Sequence, residues 1–146
     1  MNSLLFEVVP WVRAGYGCSQ ILLLLMLKLL DRKSTDVLKA GYGLCYGLGQ
    51  SGGVCGLLTG GACALGLVVG KGEDQEEVSP KAQSIIYDYA LWFEERVAIY
   101  GGTSCPMIAA GLGGGGQTPN LLACGDLLSE CWEKILTLMQ DYELEL

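Results

Sequence analysis

Seven cysteines carry the most distinctive chemistry in this 146-residue sequence, which contains no histidine. Thiolates act as nucleophiles and as ligands for soft metals and iron–sulfur clusters. Without histidine, a Cys–His catalytic pair, a mixed Cys/His zinc site and a histidine-ligated haem are excluded. No two of the cysteines form a CxxC pair, so no local redox motif is present. The seven positions are Cys18, Cys45, Cys55, Cys63, Cys105, Cys124 and Cys131.

Three of these cysteines follow glycine turns at predicted helix starts. Cys18 comes after AGYG, Cys55 after GQSGGV, and Cys105 after GGTS and before Pro106. The free N–H groups and the helix dipole at such a position stabilise a thiolate, lower its pKa and favour any anionic group. Cys18 and Cys55 are therefore candidate redox thiols. Glycines close to these cysteines would let a backbone or a cofactor approach closely, because they have no side chains. These glycines are Gly52, Gly53, Gly56 and Gly60.

Packing is the competing interpretation of every cysteine, because a free cysteine is among the most buried residue types. The sequence favours it at Cys45, Cys63 and Cys131, which lie inside apolar runs. Both interpretations stay open at the helix-start cysteines and at Cys124.

Composition limits the possible partners and compartments. The chain is 51% hydrophobic, only 17% charged, and has a net charge of −7. No cluster of Lys or Arg could follow a phosphate backbone, so we expect no nucleic-acid partner. The odd cysteine count and an N-terminus without secretion-signal features indicate a reducing cytoplasm. One domain, 1–146, is expected.

Apolar spacing of three and four residues predicts an all-α fold, a compact bundle of about five to six helices joined by glycine-rich turns. Ile21–Leu30 is apolar on every side and should be the central helix. A second clear stripe runs from Ala82 to Tyr100, with Ser79 and Pro80 as the expected start. Apolar stripes on several helices also make a homodimer an expectation.

Two other helices are expected from caps and spacing. Ser34 or Thr35 should cap a helix that extends towards Tyr46. Thr118 and Pro119 should start the last helix, whose apolar face includes Cys124 and Cys131.

The charge-free stretch 50–70 is long enough to cross a membrane. It is, however, rich in glycine, and Lys71 alone supplies a flanking positive charge. We therefore predict a buried helix and no membrane span.

Four segments of the sequence together resemble the C-GCAxxG-C-C family of redox-active proteins. They are GYGCSQ (Gly15–Gln20), GGVCGLLTGGACALGLVVG (Gly52–Gly70), the isolated Cys105 and CGDLLSECWEKIL (Cys124–Leu136). The family's four signature cysteines fall on Cys18, Cys55, Cys105 and Cys124. Leu57 stands where the family usually has alanine. A related domain in split-Soret cytochromes is associated with an iron–sulfur centre, so the resemblance implies that four thiolates could hold such a cluster here.

The leading hypothesis is a cytoplasmic redox protein whose four signature cysteines converge on an iron–sulfur cluster, without haem and with an unknown redox partner. A metal-free thiol/disulfide exchanger, with Cys18 or Cys55 as the attacking thiolate, is the first alternative. A non-catalytic helical interaction module with buried cysteines is the second.

Overall fold

Helices form the framework of the computed structural model, which describes residues 3–113 and 124–146. Seven right-handed helices lie in the described residues, one more than the upper limit predicted, because the short α7 forms a separate element. The all-α prediction is confirmed. The elements are α1 (Ser3–Arg13), α2 (Cys18–Leu29), α3 (Thr35–Tyr42), α4 (Cys45–Gln50), α5 (Gly56–Val69), α6 (Ala82–Val97) with a 3₁₀ turn (Ala98–Tyr100), α7 (Cys105–Gly111) and α8 (Gly125–Asp141). The short element α4 is left-handed.

The central position of α2 is confirmed. Ile21, Leu22 and Met26 are completely buried, and α2 packs most extensively against α5. The two helices meet almost backbone to backbone at Gly60, where a Cβ atom would lie 2.5 Å from the Cα of Ser19. Within the charge-free stretch, Gly56–Val69 is therefore a helix whose α2-facing side is buried, because its glycines let α2 approach.

The stripe on α6 is also confirmed, with Tyr89 and Phe93 fully buried against the core. Tyr89 donates a hydrogen bond of 2.6 Å to the carbonyl of Leu57 on α5. Gly61 makes this contact possible, because a Cβ there would lie 2.3 Å from the Tyr89 hydroxyl. The first turn of α5, which follows Cys55, is thereby anchored to α6.

Two predicted helix boundaries are wrong. α6 begins at Ala82, because Pro80 lies in a turn in which the Ser79 hydroxyl accepts a hydrogen bond from the Lys81 N–H at 3.2 Å. The predicted extension of the third helix towards Tyr46 also fails, since α3 ends at Tyr42.

The other predicted helix boundaries agree with the structure or fall outside the described residues. The Ser34 hydroxyl accepts a hydrogen bond from the Val37 N–H at 3.2 Å and caps α3 as expected. Gly101 ends the 3₁₀ turn with a φ of 101°. The predicted start at Thr118 and Pro119 lies outside the described residues.

Taken singly, none of the helices in 3–113 and 124–146 combines the length and apolar character that a membrane crossing needs. Together, α1 and α2 have the length and apolar composition of a membrane-crossing segment, but the two helices are bent by 117° relative to each other.

Candidate functional site

Four cysteines at the starts of four helices line one small cavity. Cys18 is the first residue of α2, and Cys55 precedes α5 as its N-cap. Cys105 is the first residue of α7, and Cys124 is the N-cap of α8. The cavity has a volume of about 20 Å³. Its lining residues are Cys18, Tyr46, Cys55, Leu57, Cys105, Ile108 and Cys124.

Backbone hydrogen bonds hold Cys55 beside Cys105. The Cys55 N–H donates to the Thr103 carbonyl at 2.8 Å, and the Cys105 N–H donates to the Gly53 carbonyl at 2.9 Å. Val54 and Ser104 form an antiparallel bridge between these two bonds. This short ladder brings together two cysteines that are fifty positions apart in the sequence.

Gly56 places the start of α5 directly against the thiol of Cys18. A Cβ atom at Gly56 would lie 2.6 Å from the Cys18 Sγ and 3.1 Å from the Leu44 carbonyl oxygen. The glycine that follows Cys55 therefore lets two of the signature cysteines share one cavity wall.

The other predicted cofactor-binding glycines have different surroundings. Gly53 faces the Gly47 carbonyl, which its Cβ would approach to 2.9 Å. Gly52 has a φ of 85° in a turn, with no atom near its missing side chain. Gly60 lies at the α2–α5 crossing.

A left-handed turn, α4, which the sequence did not predict, contributes Tyr46 to the cavity lining. Tyr46, Gly47, Leu48 and Gly49 all have left-handed backbone angles, and Gln50 has a φ of 63°. The left-handed conformation costs about 1–2 kcal/mol for each non-glycine residue. The spaced glycines in CYGLGQSGG (45–53) are the local sequence signal for this turn.

Contacts on both sides hold α4 in place. The Gly47 carbonyl accepts hydrogen bonds from the Gly53 N–H at 3.0 Å and from the Ser51 hydroxyl at 3.3 Å. Only glycine fits at Gly47, because a Cβ there would lie 2.6 Å from the Cβ of Cys105. Tyr46 lines the cavity beside Cys18.

Burial sets the protonation of the two innermost thiols. Burial, with a smaller contribution from Cys45, raises the pKa of Cys18 to about 12, although the backbone N–H of Tyr46 acts to lower it. Burial and then the neighbouring Cys18 raise the pKa of Cys55, against the lowering effect of the Leu57 N–H. The helix-start effect thus acts in the expected direction at Cys55, but the expected net lowering of the pKa is wrong because desolvation is larger.

Burial also raises the pKa values of the two outer thiols, those of Cys105 and Cys124. Burial raises the pKa of Cys105, and burial followed by the charge of Cys105 raises the pKa of Cys124. All four thiols are therefore neutral near pH 7.

As a donor set, four cysteines around one apolar cavity fit an iron–sulfur cluster, since such clusters are held by cysteine thiolates. The sulfurs are not yet arranged as ligands: within residues 3–113 and 124–146, no group of three or more Cys, Asp or Glu side chains could hold a metal ion. Holding a cluster would therefore require the thiols to lose their protons and to rearrange around a common centre.

The remaining cysteines lie outside the cavity lining. Cys45 is buried, with its Sγ 3.0 Å from the Ser19 hydroxyl. Cys131 is buried beside Tyr89, and burial raises its pKa to about 12. The packing interpretation agrees with both positions. It is wrong for Cys63, which is exposed on α5, where it lines an open groove together with residues of α2 and α3.

The fold and the site define a small all-α protein with a buried four-cysteine cavity. A family model described as "Putative redox-active protein (C_GCAxxG_C_C)" matches residues 16–138, and the chain belongs to this family. The chain matches no curated protein and no solved structure.

Proposed function

We propose that this redox-active protein holds an iron–sulfur cluster through Cys18, Cys55, Cys105 and Cys124. The observation that carries the proposal is the shared cavity at the starts of four helices. Helix starts present unpaired N–H groups, which favour the negative charge of a thiolate-ligated cluster. A cluster would supply one-electron transfer, and the chain would hold and shield it.

The raised pKa values fit this role better than thiol exchange. A neutral thiol is a poor nucleophile, so burial disfavours Cys18 or Cys55 as an attacking group. Iron can displace the thiol protons, as metal binding to cysteine generally does. Because protons are released, cluster assembly should become more favourable as the pH rises.

The apolar wall completes the proposed site. Leu57 and Ile108 line the cavity and are each only 1% exposed. Their side chains would keep water from the sulfurs, which tunes the potential of a cluster. The proposal also places the protein in the reducing cytoplasm, with a redox partner that exchanges electrons with it. The expected homodimer stays a prediction.

Anaerobic reconstitution with ferrous iron and sulfide tests the function. We expect the wild-type protein to bind iron and acid-labile sulfide in matched amounts and to become coloured. Cys55→Ser and Cys105→Ser should retain less than about one-tenth of that iron, since even the loss of a partner that only orients a ligand typically costs a metal site about 10–100-fold in affinity. Cys63→Ser is the matched control and should load fully, because Cys63 is exposed and outside the cavity lining.

Folding must be followed in the same samples by circular dichroism. Wild-type protein that stays colourless and iron-free while fully folded would overturn the proposal. Equal iron loss in Cys63→Ser and Cys55→Ser would overturn the assignment of ligands.

A further inference from the structure

We propose that α4 is the movable wall of the cysteine cavity. It swings outward to admit the cluster, and Tyr46 moves away from the cavity at the same time. This inference rests on the proposed cluster function. It concerns the chain's own residues and can be examined without metal.

The size of the cavity requires that some wall moves. A volume of about 20 Å³ is close to the space that one water molecule needs. An iron–sulfur core contains several iron and sulfide atoms and needs more room. Because the four thiols line this cavity without being placed to hold a metal ion, holding a cluster requires the lining to rearrange.

Most of the lining is built into the core and is poorly suited to move. Cys18 begins the central helix, and Leu57 lies in the turn of α5 that Tyr89 anchors. Ile108 is 1% exposed on α7. Displacing any of these residues would disturb helix packing, which protein interiors resist because they are closely packed.

Beyond Cys45, which is buried against Ser19, the features of α4 suit a moving element. Leu48 is 50% exposed, and Gly49 and Gln50 are exposed as well. The hydrogen bonds that tie α4 to the following loop both converge on the single carbonyl of Gly47. Strained backbone of this kind persists only where surrounding contacts hold it, and it clusters at ligand sites and switch regions. Opening would let Tyr46 and Leu48 leave their left-handed conformations.

Two glycines in this turn provide a matched pair of variants. Gly47→Ala puts a methyl group 2.6 Å from the Cβ of Cys105 and 2.7 Å from the Gly53 carbonyl, and so pushes α4 away from the cavity. Gly49→Ala adds the same methyl group at a similar φ of 69°, where no atom lies within 4 Å. Both variants place alanine in a left-handed conformation and therefore carry a similar backbone penalty. Only Gly47→Ala brings the new methyl group into contact with Cys105 and Gly53.

Alkylation of the metal-free, reduced protein by iodoacetamide is the test, with each cysteine followed by peptide mass spectrometry. We expect Cys18 and Cys105 in Gly47→Ala to react roughly tenfold faster than in Gly49→Ala, because local opening controls access to buried groups. Equal rates in the two variants would overturn the proposal.

Hydrogen exchange of the wild-type protein provides a second measurement that does not depend on how Gly47→Ala folds. Amides of residues 46–50 and of Gly53 should lose protection when iron and sulfide are loaded, and unchanged protection in loaded protein would overturn the proposal. If alkylation differs as expected but iron analysis shows no cluster, α4 is supported as the wall that controls access and the cluster function fails.

Discussion

Gly60→Ala is expected to lower the free energy of unfolding by about 2–3 kcal/mol, as over-packing of a rigid contact does. The new Cβ would lie 2.5 Å from the Cα of Ser19 and 3.0 Å from its carbonyl oxygen. These are backbone atoms, so no rotamer change can relieve the overlap, and α2 and α5 must separate. Urea unfolding followed by circular dichroism measures the change.

Gly66→Ala is the matched control on the same helix. No atom lies within 4 Å of a Cβ at Gly66. Replacing this helix-interior glycine should therefore raise stability by about 0.5–1 kcal/mol through the better helix propensity of alanine. Equal stabilities for the two variants would contradict the close α2–α5 contact described above.

The close contact of Gly60 with Ser19 also affects the cysteine cavity. Gly60 lies one helical turn beyond Gly56, which touches the Cys18 thiol. Separation of the two helices should move Cys18 away from Cys55. Iron loading of Gly60→Ala should consequently fall along with its stability, whereas Gly66→Ala should load as the wild type does.

The second large effect is a loss of stability in alkaline solution. Cys18 and Cys131 have pKa values of about 12 in the folded chain, against an ordinary value of 9.0. A group with a raised pKa in the folded state stabilises the protein fully below its unfolded pKa, and this contribution is lost as the pH rises through the folded value. The free energy of unfolding should therefore fall between pH 9 and pH 12.

The slope of this decline is the quantity to measure, by urea unfolding of the reduced, metal-free protein at several pH values. Each thiol that ionises only on unfolding contributes about 1.4 kcal/mol per pH unit within that range. Cys131→Ala removes one such thiol and should reduce the slope by up to that amount. The cavity left by the substitution lowers the free energy of unfolding equally at every pH, so it does not change the slope. Cys63→Ala removes an exposed thiol and should change the slope less. A stability that stays constant up to pH 12 would contradict the prediction.

Local sequence was sufficient to place most of the helices and to put Cys18, Cys55 and Cys105 at helix starts. A helix start depends on a turn and a capping residue a few positions apart, and Ser104 before Cys105 has this local signal: its hydroxyl accepts the Met107 N–H at 3.4 Å. Apolar spacing identified the buried faces of α6 and α8 because a helix repeats every 3.6 residues. The same signals could not indicate that Ser79 would form a turn ahead of α6.

The geometry of the site depended on contacts that are distant in sequence. The left-handed turn α4 runs against the local preferences of Tyr46 and Leu48, and it exists where Gly47 meets Cys105 and Gly53. Exposure of Cys63 likewise depends on which side of α5 receives a neighbour. Neither property is encoded within a few residues of the positions concerned.

The sequence by itself determined that this is an all-α member of a redox family with Cys18, Cys55 and Cys105 at helix starts that follow glycine turns, because caps, turns and periodicity act over one or two helical turns. Only the tertiary structure decided that the four signature cysteines share one cavity, that Tyr46 of α4 lines it, and that burial raises the thiol pKa values instead of lowering them. The physical reason is that desolvation and the meeting of distant glycines arise only when the chain packs against itself.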